Sequence, residues 1–88
     1  KIKKQGNESF IKKDYDQAIG KYKEAILQYG FECPKEKAVC YSNLSQCYIN
    51  RKDFVLAEMN SKKTLELDHE NEKAKIRLKK AQEEMMVT

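Results

Sequence analysis

The chain has 88 residues, 40% of them hydrophobic and 36% charged, and carries a net charge of +4. One domain of this size buries only about 60% of the surface its unfolded form exposes, so its core is thin. Three Gly, one Pro and no Trp fit an amphipathic helical protein rather than a sandwich or barrel, and no apolar run approaches the roughly 20 residues needed to span a bilayer. No charged-then-apolar segment opens the sequence in the manner of a signal peptide, and a soluble, cytoplasmic protein is expected.

Apolar residues recur at helical spacing along the chain, and no stretch alternates with period two. The pattern predicts helices over 2–12, 15–29, 35–50, 54–67 and 70–86. Lys12 and Lys13 suit the carboxyl end of the first helix dipole. Asp14, with Gln17 three residues on, caps the second helix, whose Ala18, Ile19, Tyr22, Ala25, Ile26 and Tyr29 form an apolar stripe that stops at Gly30. Pro34 fits the first turn of the third helix, which carries Cys40, Tyr41, Leu44, Cys47 and Tyr48 on its inner face. Glu70 and Glu72 complement the positive start of the last helix. His69 falls in the turn before it, and Met85 and Met86 are expected to cover the open end of the array.

These helices form a repeat. An offset of 39 pairs Phe10 with Ile49, Asp14 with Asp53, Tyr15 with Phe54, Ala18 with Ala57 and Ile26 with Leu65. An offset of 34 pairs Tyr41 with Lys75, Asn43 with Arg77 and Leu44 with Leu78, so a third unit starts near the end of the chain. The run Gly6, Asn7, Phe10, Asp14, Tyr15, Ala18, Ile19, Tyr22 and Ala25, matched by Leu44, Tyr48, Asp53, Phe54, Ala57 and Leu65, resembles the tetratricopeptide repeat. The resemblance covers essentially the whole chain. It implies an all-α fold, a right-handed superhelical array of antiparallel helix pairs: a first repeat over 1–37, a second over 38–71 and a terminal helix over 72–88. Small residues at Ala18, Ala25 and Ala57 allow close helix approach, and Tyr15 and Phe54 fill the space within each pair. The sequence departs from the family pattern at three places. Ser61 replaces an aromatic, His69 stands where Pro is usual, and about five extra residues between Ile26 and Ala38 lengthen the first connection.

In this family the first helix of each pair lines the concave face. The inward positions are Lys3, Asn7 and Phe10, then Asn43, Gln46 and Ile49, then Lys73, Arg77 and Lys80, a basic and amide-rich set. Lys73 and Arg77 are four residues apart and share a helix face, where two cations repel by a few tenths of a kcal/mol unless an anion lies between them. Lys, Arg and the Asn amide together present a donor-rich surface suited to carboxylates. Lys3, Asn7, Asn43, Lys73 and Arg77 resemble the two-carboxylate clamp of tetratricopeptide co-chaperones. The resemblance implies a partner: the Glu-Glu-Val-Asp tail of cytosolic heat-shock chaperones of the 70 and 90 kDa classes. Lys3, Asn7 and Asn43 would face the terminal carboxylate, Lys73 the Asp side chain, and Arg77 the peptide further along, with Phe10 and Ile49 walling an apolar pocket. Apolar residues at such spacing are more often core than pocket.

Other functions find less support. Cys33, Cys40 and Cys47 form no Cys-x-x-Cys pair and have only His69 as a further soft ligand, so neither a metal site nor a disulfide framework is expected. Cys40 and Cys47, two turns apart, read as small buried hydrophobes, and reduced thiols agree with a cytosolic setting. No nucleophile, acid–base pair or phosphate loop points to an enzyme, and no cofactor is called for. The cations of the last helix lack an aromatic platform for nucleic acid, so neither nucleic acid nor a membrane is an expected partner, and a monomer is favoured. The competing reading is a structural repeat scaffold, or the docking part of a larger protein such as an immunophilin, without tail binding by the groove.

Overall fold

The computed structural model of the protein describes residues 14–87, which fold into helices joined by short turns. The helices are α1 (Tyr15–Tyr29), α2 (Pro34–Asn50), α3 (Phe54–Leu67) and α4 (Glu72–Val87). The expected helix over 2–12 lies outside the described residues. α2 is the hub of the array, packing against α1, α3 and α4, while α3 lies against both α2 and α4.

The helix ends follow from local chemistry. Asp14 caps α1 by accepting the N–H of Gln17 on its Oδ1 at 3.1 Å, and Asp16 adds a negative charge to that first turn. Gly30 ends α1 with φ +61° and ψ −132°, a positive φ but not the left-handed helical conformation the sequence suggests. Pro34 opens α2 at the first turn, one residue earlier than the predicted boundary. At the other end of α2, Lys52 takes φ +65°. Its N–H meets Ile49 O at 2.9 Å while Asp53 N–H meets Tyr48 O at 2.8 Å, the paired closure of a Schellman motif. α4 starts at Glu72, two residues later than expected, because the Asn71 side chain accepts the N–H of Ala74 at 2.9 Å and so caps the helix. Glu70 is left in the preceding turn.

Two further expectations are corrected. The extra residues after Ile26 do not lengthen the first connection. They are absorbed into the 17-residue α2, and the link between α1 and α2 is the four residues 30–33. Met86 is 84% exposed and does not cover the end of the array, whereas Met85 is half-buried.

The core is thin and built of small residues. Ala18, Ala25, Ala38, Cys40, Cys47, Ala57, Ala74 and Ala81 are buried around Tyr22, Leu44 and Tyr48, with Tyr15 and Phe54 half-buried against them. Where the family has an aromatic, Ser61 is fully buried and hydrogen-bonded to Ser45, whose Oγ also lies 2.9 Å from Ala57 O. Thr64 Oγ1 donates to Asn60 O at 3.0 Å. Small, internally satisfied hydroxyls thus let α2 and α3 close on one another without an aromatic spacer.

Candidate functional site

α2 and α4 present the basic face. Arg77, in the middle of α4, reaches across to α2: its Nε donates to Gln46 Oε1 at 3.1 Å, and one Nη donates to Ser42 O at 2.8 Å and Ser42 Oγ at 2.6 Å. Gln46 Nε2 in turn donates to Asn50 Oδ1 at 3.0 Å. All the acceptors on Arg77 are neutral, and among the described residues no carboxylate forms an ion pair with it. Burial holds the guanidinium below its ordinary value, with Cys47 and Tyr22 acting in the opposite direction. Arginine starts so high that the charge survives at neutral pH. The result is a half-buried, fixed positive charge that meets no carboxylate among the described residues.

Tyr22 and Asn43 continue this polar cluster. Burial pushes the Tyr22 phenol up to about 12, assisted by Cys47 and Cys40 and opposed by Arg77 and by a side-chain hydrogen bond with Asn43. Burial likewise pushes the Cys47 thiol up to about 11, against the pull of Arg77. Both groups are neutral at physiological pH, so neither cancels the arginine charge.

The sequence-predicted residues divide clearly. Asn43, Gln46 and Arg77 come together in one connected patch. Lys73 stands one turn before Arg77 on α4, exposed and without an ion pair among the described residues. Lys80 is exposed and tied to Glu84 at 2.8 Å, which raises its pKa. Ile49 is half-buried and packs against the core. Lys3, Asn7 and Phe10 lie outside the described residues. Ser42, Tyr22 and Asn50 were not singled out as polar partners. The 34-residue offset aligned Asn43 with Arg77, yet spacing cannot reveal that the arginine turns back toward Ser42.

Stacked helices, an internal repeat and alanines at the helix contacts make an all-α helical repeat array of the kind that the tetratricopeptide resemblance implies. No protein-family model matches the chain. It is similar to sperm-associated antigen 1 of Rattus norvegicus, 33% identical over 81 residues, which cover 92% of this chain and 8% of that protein. It is also similar to unc-45 homolog B of Xenopus laevis, 32% identical over 84 residues, covering 96% and 9%. The mitochondrial import receptor subunit TOM70 of Saccharomyces cerevisiae is 38% identical over 82 residues, covering 93% and 12%. The chain therefore spans a small fraction of the length of each of these relatives.

Proposed function

We propose that the α2–α4 face binds the acidic carboxyl-terminal tail of cytosolic heat-shock chaperones of the 70 and 90 kDa classes, and that the chain acts as, or within, a co-chaperone. The observation that carries this reading is Arg77 on α4, fixed by neutral acceptors on α2 and, among the described residues, paired with no carboxylate. A preorganised cation that pairs with no carboxylate among the described residues favours a ligand that brings its own carboxylates. Lys73 takes the Asp side chain and Asn43 helps hold the terminal carboxylate. Arg77, whose Nε and one Nη are already engaged, supplies field and a fixed edge to the groove. The reaction is binding without chemistry. Charge-assisted hydrogen bonds contribute roughly 1.5–3 kcal/mol each, and ordering a flexible tail offsets much of this, so a Kd near micromolar is expected.

Calorimetric titration with a Glu-Glu-Val-Asp peptide tests the reading. Lys73→Ala or Asn43→Ala removes most of the binding while helical circular dichroism is retained, and amidating the peptide's terminal carboxylate has the same effect. Undiminished affinity for the amidated peptide would exclude the clamp.

A further inference from the structure

α2 has a second face that the groove does not use. At 3.6 residues per turn, Tyr41 and Asn43 point about 200° apart around the helix. On the Tyr41 side, α1, α2 and α3 border an open hollow of about 310 Å³ lined by Lys23, Ile26, Leu27, Tyr41, Leu44 and Asn60. It runs into a second depression of about 270 Å³, which shares Tyr41 and Asn60 and adds Met59 and Lys63.

The floor and the rim differ in character. Leu44 is buried, and Ile26 and Tyr41 are half-buried against the core, so the floor is fixed by the packing that holds the array together. Leu27 and Met59 instead leave 81% and 58% of their surface in water. Such large apolar side chains beside a rigid hollow favour burial against a partner. The volume is at the low end of the roughly 300–1,000 Å³ typical of ligand sites, enough for one or two inserted side chains. The charged lining is of one sign. Among the described residues Lys23 has no ion pair, Lys63 meets only Glu66 at 3.6 Å on the exposed helix surface, and no carboxylate lines either depression. Asn60 donates its amide N–H to Leu56 O at 2.8 Å, which leaves its Oδ1 at the rim to accept from an incoming backbone N–H.

We propose that this hollow is a second docking site, for an acidic segment of a partner protein that inserts leucine- or phenylalanine-sized side chains over Leu44 while its flanking carboxylates meet Lys23 and Lys63. The occupant differs from the groove's ligand in requiring internal apolar residues and no free carboxyl terminus. One chain can then hold two acidic segments on opposite sides of α2.

The test is a nuclear magnetic resonance titration of the chain with a short peptide, blocked at both ends, that places two leucines and a phenylalanine among aspartates. Blocking removes the terminal carboxylate, so the groove clamp is not engaged. The expected result is saturable shift changes at the amides of Ile26, Leu27, Tyr41, Leu44 and Asn60. Binding weakens about tenfold in Leu27→Gln and in the Lys23→Glu/Lys63→Glu double variant, all at exposed positions, and is unchanged in Lys73→Ala. Failure of the groove reading leaves this result intact. Shifts centred on Asn43 and Arg77, equal binding of the same peptide with lysines for aspartates, or absence of saturation would each overturn the proposal. So would peptide-independent shifts at the hollow that grow with protein concentration, because the occupant would then be a second copy of the chain.

Discussion

α2 meets α3 and α4 by two different kinds of contact. Against α3 the interface is closed: Ser45, Ala57, Ser61 and Thr64 are all fully buried, and their hydroxyls find partners within the interface. Against α4 the side-chain hydrogen bonds among the described residues come from one long side chain, Arg77, whose charge is left unneutralised by Ser42 and Gln46. The closed contact has satisfied every side-chain polar group it buries among the described residues. The open contact retains a charge that the closed one lacks. If the groove binds a tail, stability and recognition are divided between neighbouring faces of a single helix.

The largest expected effect tests the open contact. Arg77→Ala removes three hydrogen bonds and the aliphatic stem that spans α2 and α4, and is expected to destabilise the chain by about 2 kcal/mol in urea unfolding, as well as to abolish tail binding. Arg77→Lys keeps the charge but loses the planar fork, so it recovers at most part of both properties. An Arg77→Lys variant as stable and as tight-binding as the parent would show that packing alone joins α2 to α4, and the two contacts would no longer differ in kind.

The closed contact gives a smaller effect. Ser61→Phe restores the aromatic expected of the repeat, but here it must enter space occupied by Ser45, and overpacking of this sort costs roughly 1–3 kcal/mol. A Ser45→Ala/Ser61→Ala cycle resolves the hydrogen-bond share. Ser45→Ala leaves the buried Ser61 hydroxyl without its partner, at about 1 kcal/mol, Ser61→Ala costs less because Ser45 still donates to Ala57 O, and removing both is expected to be nearly neutral. Thermal melting of the four proteins measures this directly. A stabilising Ser61→Phe would mean that the helices have room for the usual spacer.

Much of this architecture was legible in the sequence because it follows from periodicity. The apolar stripe of α1, the Asp14 cap, Pro34 at the first turn and the burial of Cys40 and Cys47 all appear where the spacing puts them. Boundaries set by a side-chain hydrogen bond were less legible. Asn71 displaces the start of α4 beyond Glu70, and nothing in the 3.6-residue pattern distinguishes the two. The candidate site was readable as a set of residue types at helical spacing, and of these Asn43, Gln46 and Arg77 lie close together in the fold. The direction of Arg77 was not, since a long flexible side chain chooses between solvent, ligand and Ser42 by tertiary contacts that spacing does not encode. The Ser45–Ser61 pair was hidden for a related reason: Ser61 was visible as a departure from the repeat, but its compensation lies 16 residues away on another helix.

The smallest effect distinguishes the contacts by titration. Tyr22 and Cys47 belong to the Arg77 cluster and are held neutral in the fold, with the thiol raised from its ordinary 9.0 to about 11 and the phenol from 10.0 to about 12. In the unfolded chain both ionise earlier. Above pH 9 the unfolded state therefore binds fewer protons than the native state, and stability must fall as pH rises. The contribution of each group is complete below its unfolded value and is lost progressively up to its folded one, about 11 for the thiol and about 12 for the phenol. At pH 9.5 the combined loss is about 1 kcal/mol, most of it from Cys47. The Ser45–Ser61 contact contains no such group and should not respond. Melting temperatures between pH 8 and 10 are expected to decline in the parent chain and in Ser45→Ala alike, and to decline less steeply in Cys47→Ala. Comparing slopes rather than absolute values removes the small cavity that Cys47→Ala creates and the shared contribution of the lysines. Identical slopes in all three proteins would mean that water reaches the thiol, and that the Arg77 side of α2 is more open than its hydrogen bonds imply.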